Sequence, residues 1–494
     1  MSEASSPAAR TQRLSRDFLE EYRSSSRYQR GMIDEIAELA LSPSHAEAAE
    51  ATRTLFTALI EPMADSFDPA AVALYNRVFA QLVQACRRRE PPLDSELKRL
   101  GLTVEQDLVD RAESLRPSIE VDKPLGASHA PAWRRVKRAI VLSRVTLGAD
   151  VAITSVIIER LKREMTNAEI VLAGGKKVVE LFGGDDRLSF HEVGYQRSAP
   201  LRDRVLSWLG VLSAVRGLTA GFDDSEWVIV DPDSRLTQLG VLPLTHHSNA
   251  GRYFFFPSRE FGHETTYSMG ELVSQWAGEL FREKHGTIPR VSLKKDDAES
   301  GERLLGALRR SGARRVAAVN FGVGDNPAKR IDGDFETSLV LSLLRDGAAV
   351  ILDKGAGGDE SDRIDVIVAG ARADRTAGDA LRVLEIDEAA LPAVLAKQSL
   401  EADVVVWRGG IGLLGALINN SDCYIGYDSA GQHIAAALGV PCINVVAGAP
   451  SMRFVQRWKP VGPSEVNVVV ADGSRTGAQL LNEVMGHWRR ICAR

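Results

Sequence analysis

Fourteen residues, Asp428-Ser429-Ala430-Gly431-Gln432-His433-Ile434-Ala435-Ala436-Ala437-Leu438-Gly439-Val440-Pro441, constrain the fold of this chain more than any others. They lie between two short apolar runs, Cys423-Tyr424-Ile425-Gly426-Tyr427 and Cys442-Ile443-Asn444-Val445-Val446. The order reads as strand, tight turn, helix, strand. Small residues at the turn let a backbone approach a ligand. The first helical turn directs free N–H groups and the positive end of its dipole at the same point. Such a place suits a diphosphate, and an Asp at the strand end suits a sugar or ribose hydroxyl. Asp428, Ser429, Ala430 and Gly431 are therefore the first candidate ligand-binding residues. His433, inside the same turn, is expected to support it rather than react.

The rest of the chain repeats this rhythm. Arg138–Ser143, Glu169–Ala173, Leu188–Val193 and Glu226–Asp231 read as strands, separated by helical stretches near 150–164, 176–182 and 201–216. A second run begins with a strand at Arg315–Phe321, followed by a loop at Gly322–Pro327, a helix at about 334–345 and a strand at 348–353. Strand alternating with helix predicts parallel sheets wrapped by helices. Residues 1–116 differ: Ala is frequent, Gly scarce, and Leu55, Leu59, Met63, Val72, Leu74, Val78, Phe79, Leu82 and Val83 recur at helical spacing. The expected division is a helical N-terminal module (1–116), a linker (117–135), a Rossmann-like acceptor domain (136–300) and a Rossmann-like donor domain (301–494). The final helix, about 476–490, is expected to pack back on the first domain.

Composition narrows the function. A net charge of −5 gives no sign of nucleic-acid binding, and Arg87-Arg88-Arg89 and Arg134-Arg135-Val136-Lys137-Arg138 read as solvated element ends. Cys86, Cys423, Cys442 and Cys492 form no CxxC pair, so neither a disulfide framework nor structural zinc is expected. The polar start of the chain lacks a signal-peptide core, and no apolar stretch approaches the ~18 residues of a membrane span. The expected location is cytoplasmic, with room for peripheral contact at the inner membrane surface.

Four segments, in order, resemble the ADP-heptose:lipopolysaccharide heptosyltransferase family, glycosyltransferase family 9. They are Ile140–Val151, similar to the family's opening strand and Ser-x-Gly-Asp loop; Glu226–Asp231; Asn320-Phe321-Gly322 through Lys329-Arg330, similar to the loop whose Lys meets the donor phosphates; and the Asp428 motif. The last match is long and specific. Together they cover roughly residues 136–490. The sequence departs from the family at Ala149, which intervenes between Gly148 and Asp150, and at Ala430, where Gly is usual. The resemblance implies a GT-B fold, two Rossmann-like domains facing a cleft, with the N-terminal helical module added. It also implies an inverting, metal-independent glycosyl transfer from a nucleotide-diphosphate sugar, the family's being ADP-heptose, to an acceptor hydroxyl. No cofactor is expected beyond that co-substrate.

On this reading Asp150, at a strand–helix junction, takes the acceptor's proton; position alone equally suits a helix cap. Lys329, helped by Arg330 and preceded by the glycines Gly322 and Gly324, neutralises the departing diphosphate. Asp231-Pro232-Asp233 is a bare DxD at a strand end and suits a turn as well as a metal. His246-His247, adjacent on an extended segment, would point to opposite faces. The acceptor is an unidentified glycan, lipid-linked or protein hydroxyl, and the N-terminal helices are expected to recruit it or another partner. Alternatives are a non-hydrolysing sugar-nucleotide 2-epimerase, whose Gly-Thr-Arg-Pro-Glu segment is missing after the first strand, and a non-catalytic nucleotide-sugar-binding scaffold.

Overall fold

The computed structural model describes residues 6–116, 133–283, 285–324, 326–331, 333–355, 357–374 and 380–493. Most of the linker at 117–135 lies outside them; only its end, a 3-10 turn at Trp133–Arg135, is described.

The first segment is helical throughout: α1 (Pro7–Ser25), α2 (Arg30–Ala40), α3 (His45–Leu55), α4 (Glu61–Ala64), α5 (Pro69–Arg87), α6 (Pro91–Arg99) and α7 (Glu105–Ser114). Proline stands in the first turn of α1, α5 and α6, where its missing N–H costs nothing.

The second segment contains β1 (Arg138–Leu142), α8 (Leu147–Ala149), α9 (Ser155–Glu164), β2 (Glu169–Gly174), α10 (Val178–Phe182), β3 (Leu188–Glu192), α11 (Leu201–Thr219), β4 (Trp227–Asp231), β5 (Tyr253–Phe255) and α12 (Met269–Phe281). Its sheet runs β3-β2-β1-β4-β5, all parallel, with Ile140 level with Val171 and Ile229.

The third segment contains α13 (Lys295–Arg310), β6 (Arg315–Asn320), α14 (Phe335–Arg345), β7 (Ala348–Asp353), α15 (Gly358–Ala373), β8 (Val383–Asp387), α16 (Leu391–Leu395) and β9 (Val404–Arg408). It continues through α17 (Ile411–Asn419), β10 (Cys423–Tyr427), α18 (Ala430–Ala437), β11 (Cys442–Ala447), α19 (Met452–Arg457), β12 (Val466–Ala471) and α20 (Gly477–Cys492). Its sheet is also wholly parallel, in the order β12-β11-β10-β6-β7-β9-β8. In both sheets the strand order reverses beside the first strand, between β1 and β4 and between β6 and β10. The crevice outside the carboxyl ends at such a point is where open α/β sheets bind ligands.

The apolar faces form continuous cores. One joins the inner faces of both sheets through Val141, Leu172, Val230, Val316, Ile351 and Trp407. A second joins the outer face of the first sheet (Ile140, Leu142, Ile229, Tyr253, Phe255) to the N-terminal helices (Leu59, Tyr75, Val78, Phe79, Leu82, Leu108). The helices therefore share a core with the sheet. Direct bonds add to this: Leu201 N–H donates to Thr52 Oγ1 at 2.8 Å, and Arg116 donates to the Leu239 carbonyl at 3.1 Å. The third core covers the second sheet's outer face, and α20 belongs to it through Leu480, Val484, Met485 and Trp488. The final helix thus packs on its own sheet, not on the first domain, because those four residues make a stripe that fits the outer face of β11 and β12.

Among the described residues no helix is long and apolar enough to cross a membrane. The four cysteines are free.

Candidate functional site

At the switch point of the second sheet, β10 ends in Tyr427 and the chain turns through Asp428 into α18, with Ser429 as N-cap. The Ser429 side chain makes no capping bond. Opposite, the loop after β6 forms a short 3-10 turn, Pro327–Lys329, held by Asn326 Oδ1, which accepts from Ala328 N–H at 3.1 Å. Lys329 Nζ lies 2.5 Å from Asp428 Oδ2, while Asp428 Oδ1 accepts from Gln432 Nε2 at 2.8 Å. The Lys329 ammonium also sits 5.8 Å from the centre of the Phe454 ring. Sequence reasoning brought Lys329 and the Asp428 turn together, and the fold does so. It missed Gln432, Phe454 and Trp458, which line a depression with Asp428, Val446, Lys459 and Pro460. Gln432 was legible, since a residue four beyond Asp428 shares its helical face. Phe454 and Trp458 were not, because the tertiary fold alone brings them near.

Gly431 has a reason other than ligand approach. A Cβ there would meet Tyr424 Oη at 2.3 Å, and one at Gly426 would meet the same atom at 2.5 Å. The buried Tyr424 ring thus fills the space that both glycines leave. Ala430 and His433 face the first domain: a Cβ on Gly148 would stand 3.3 Å from Ala430 Cα and 3.2 Å from His433 Cδ2. His433 is buried, and burial pushes its imidazole down to about 4, so it is neutral near pH 7.

Gly322 and Gly324 are placed elsewhere. Gly322 lines a second depression at the ends of β6 and β7 with Phe321, Asp353, Gly355, Glu360 and Arg363. Gly324 N–H donates to Glu360 Oε1 at 3.2 Å, and Gly322 N–H to Asn320 Oδ1 at 2.8 Å. A carboxylate stands where the glycines were expected to cradle phosphate. Arg330 is half-buried beside Lys329, and its Nε has no hydrogen-bond partner.

In the first sheet, Asp150 is not the helix cap; that place falls to Thr146. Asp150 opens a π-helical turn, Asp150–Thr154, between α8 and α9. Such a turn takes up an inserted residue, and it lies directly after Ala149. The Asp150 side chain is fully buried. Its carboxylate accepts from Ser143 Oγ (2.7 Å), Arg144 N–H (2.7 Å) and Thr154 Oγ1 (2.8 Å). Burial raises its carboxyl to about 6 against the pull of those bonds.

Asp231 and Asp233 are buried too. Asp231 accepts from Ser234 N–H, Thr237 Oγ1 and Tyr253 Oη, and Asp233 from Ser258 Oγ and Arg259. These bonds tie the β4 loop into the protein interior. His246 and His247 do not diverge: His246 caps a 3-10 turn, and the two rings lie 3.8 Å apart.

No family model matches the sequence. UvrABC system protein C of Ruegeria sp. (strain TM1040) is 25% identical over 180 residues, 36% of this chain and 26% of that protein, so the chain spans about a quarter of that relative's length. Among solved structures, glycosyl transferase family 9 from Veillonella parvula DSM 2008 has a TM-score of 0.50 at 14% identity, covering 72% of this chain and 97% of that one. E. coli ADP-heptose lps heptosyltransferase II gives 0.48 at 15% identity, covering 72% and 99%. E. coli heptosyltransferase WaaC with ADP gives 0.48 at 13%, covering 71% and 99%. The chain is thus similar in fold to the family 9 glycosyltransferase structure from Veillonella, as the Asp428 motif implied.

Proposed function

We propose that the protein transfers a sugar from a nucleoside-diphosphate sugar to an acceptor hydroxyl, with inversion at the anomeric carbon. The observation that carries this reading is the Lys329–Asp428 pair at the carboxyl edge of the second sheet, beside the N-terminus of α18. A diphosphate seated there exchanges Asp428 for itself as the partner of Lys329. The amides of Ser429, Ala430 and Gly431 and the helix dipole share its charge. Asp428, released from Lys329, accepts from a sugar or ribose hydroxyl. The leaving diphosphate gains charge where a cation and a helix end are already in place, and no solvent has to reorganise.

Asp150 is the proposed acceptor of the hydroxyl's proton. A carboxyl raised to about 6 suits a base working near neutral pH. The Asp150 side chain is fully buried, so transfer requires the surrounding loop to open to the acceptor. The reading is metal-independent, and Asp231 and Asp233, the DxD candidates, are already engaged by their own side-chain and backbone donors. ADP-heptose, which the Asp428 motif implies, is the first donor to test, with glycan, lipid-linked and protein acceptors.

A second reading, a non-catalytic nucleotide-sugar sensor, is favoured by the burial of Asp150 and the closed contact at Gly148. A thermal-shift panel of nucleotide sugars, followed by transfer assays after EDTA dialysis, tests both readings. A ligand that binds only the folded state raises its melting temperature by mass action. Stabilisation by a nucleotide sugar with turnover supports the transferase, and stabilisation without turnover across acceptors supports the sensor. If no nucleotide sugar stabilises the protein at millimolar concentration, both readings fall.

A further inference from the structure

Between α4 and α5 the chain makes a tight turn through Phe67, whose φ of 53° is left-handed and rare for a bulky residue. The turn is fixed on both sides. Ser66 Oγ donates to the Met63 carbonyl at 2.8 Å, and Asp68 caps α5 by accepting from Ala70 N–H at 3.3 Å. The left-handed residue turns the Phe67 side chain away from its own helices. Among the described residues 6–116, Phe67 is the one that joins the core between the two sheets.

It arrives against α19. The Phe67 and Phe454 rings are 6.4 Å apart, and the Phe67 carbonyl accepts from Arg453 Nη1 at 3.0 Å. The other end of α19 is held by buried Arg457, which donates to the carbonyls of Gly262 (2.7 Å) and Tyr267 (2.5 Å). This short helix, whose Phe454 and Val455 wall the Asp428 depression, is therefore clamped by the N-terminal helices at one end and by the first domain at the other. Phe67 stands behind Phe454, outside the depression itself, so it supports that wall without filling the pocket.

We propose that Phe67 is a positioning residue of the nucleotide site: the 65–68 turn holds α19 so that Phe454 faces Lys329. The N-terminal helices thereby set the affinity for a nucleoside diphosphate. This rests on the donor-site reading of Lys329 and Asp428. A strained φ retained on a phenylalanine fits the role, because glycine would make the same turn without strain but would leave α19 unsupported.

The test compares Phe67→Ala and Phe67→Gly with Phe79→Ala. Phe79 is equally buried in the same helices but packs on Tyr75 and Phe56, away from α19. Two quantities are read under conditions where every variant is folded: the Kd for ADP by calorimetry and the amide exchange of residues 452–457. Both Phe67 variants should weaken ADP binding about tenfold, within the range for residues coupled through contact, and should speed exchange in α19. Phe79→Ala should lose stability while keeping the wild-type Kd and exchange there. Unchanged exchange in α19 for both Phe67 variants, or faster exchange with an unchanged Kd, overturns the proposal. An equal loss of affinity in Phe79→Ala also overturns it. If wild type itself binds no nucleoside diphosphate, the donor reading fails. The exchange comparison then still decides whether Phe67 holds α19.

Discussion

Lys329 and Asp428, 99 residues apart in sequence, meet at 2.5 Å with side chains 23% and 11% exposed. That exposure leaves the pair open to an incoming anion. Lys329→Ala should weaken nucleoside-diphosphate binding by roughly ten- to a hundredfold, the usual worth of a charge-assisted contact to phosphate. It should also slow any transfer. Calorimetry with ADP reads the first effect directly. Wild-type affinity in the alanine variant would remove Lys329 from the site.

Gly431 carries a separate prediction. An added methyl would collide with the Tyr424 phenol at 2.3 Å and its Cζ at 2.8 Å. Gly431→Ala should therefore cost about 1–3 kcal/mol of stability, the range for overpacking a filled interior. Tyr424→Phe in the same chain should recover part of the loss. If denaturant unfolding finds Gly431→Ala as stable as wild type while nucleotide affinity collapses, the glycine serves the ligand and not the tyrosine.

Asp150 links stability to pH. Burial holds its folded-state carboxyl at about 6, above the usual carboxylate value near 3.9. The folded state takes up this proton as pH falls through about 6, and the unfolded state only below about 4. The resulting stability is complete below the unfolded value and is lost as pH rises through 6. Asp231 and Asp353, also raised to about 6 by burial, act in the same direction. His433, lowered to about 4, opposes them, because the unfolded imidazole binds its proton first. Asp150→Asn should remove about 1.4 kcal/mol from the stability gained between pH ~7.5 and pH ~5. Urea unfolding at the two pH values measures it. The same variant should cut turnover by roughly a hundredfold or more if Asp150 is the base. Near-wild-type transfer would leave Asp150 with its loop-holding bonds alone.

The parts of this fold that sequence makes legible are those with a short period. The βαβ rhythm of residues 138–231 and 315–353 and the Asp428 turn follow from local patterning, and the strands formed where that patterning put them. The three-residue strand β5 is too short to show a period. The burial of Asp150 is illegible for another reason: one inserted residue, Ala149, has no local signature, and a π-turn beside it is a tertiary solution. Gly322 and Gly324 looked like a phosphate cradle until Glu360, 36 residues beyond Gly324, folded over them. Phe67 has an ordinary Ser-Phe-Asp-Pro context, and only the arrival of α19 gives it a role. Composition marks residues 1–116 as helix-rich, and helices α1–α7 do run from Pro7 to Ser114, but composition does not report which helices find the sheet.

That last point sets the most exposing experiment, removal of the N-terminal helices. If residues 1–116 were a separable recruiting module, a chain beginning at residue 133 would fold and bind nucleotide as before. The shared core argues otherwise. Ile140, Leu142, Ile229, Tyr253 and Phe255 are all buried, and they pack in one cluster with Leu59, Tyr75, Val78, Phe79 and Leu82. α11 covers the same face, yet Trp208 and Val211 belong to that cluster too and would lose neighbours. Each large side chain returned to water costs about 1.5–3 kcal/mol. Five such residues together cost about 7.5–15 kcal/mol, as much as the ~5–15 kcal/mol that holds a typical domain folded. The shortened chain should therefore aggregate, or run as an expanded species on size exclusion without a cooperative thermal transition. A monodisperse truncated protein with a sharp transition and wild-type ADP affinity would restore the separate module, and it would also show that α19 needs no support from Phe67.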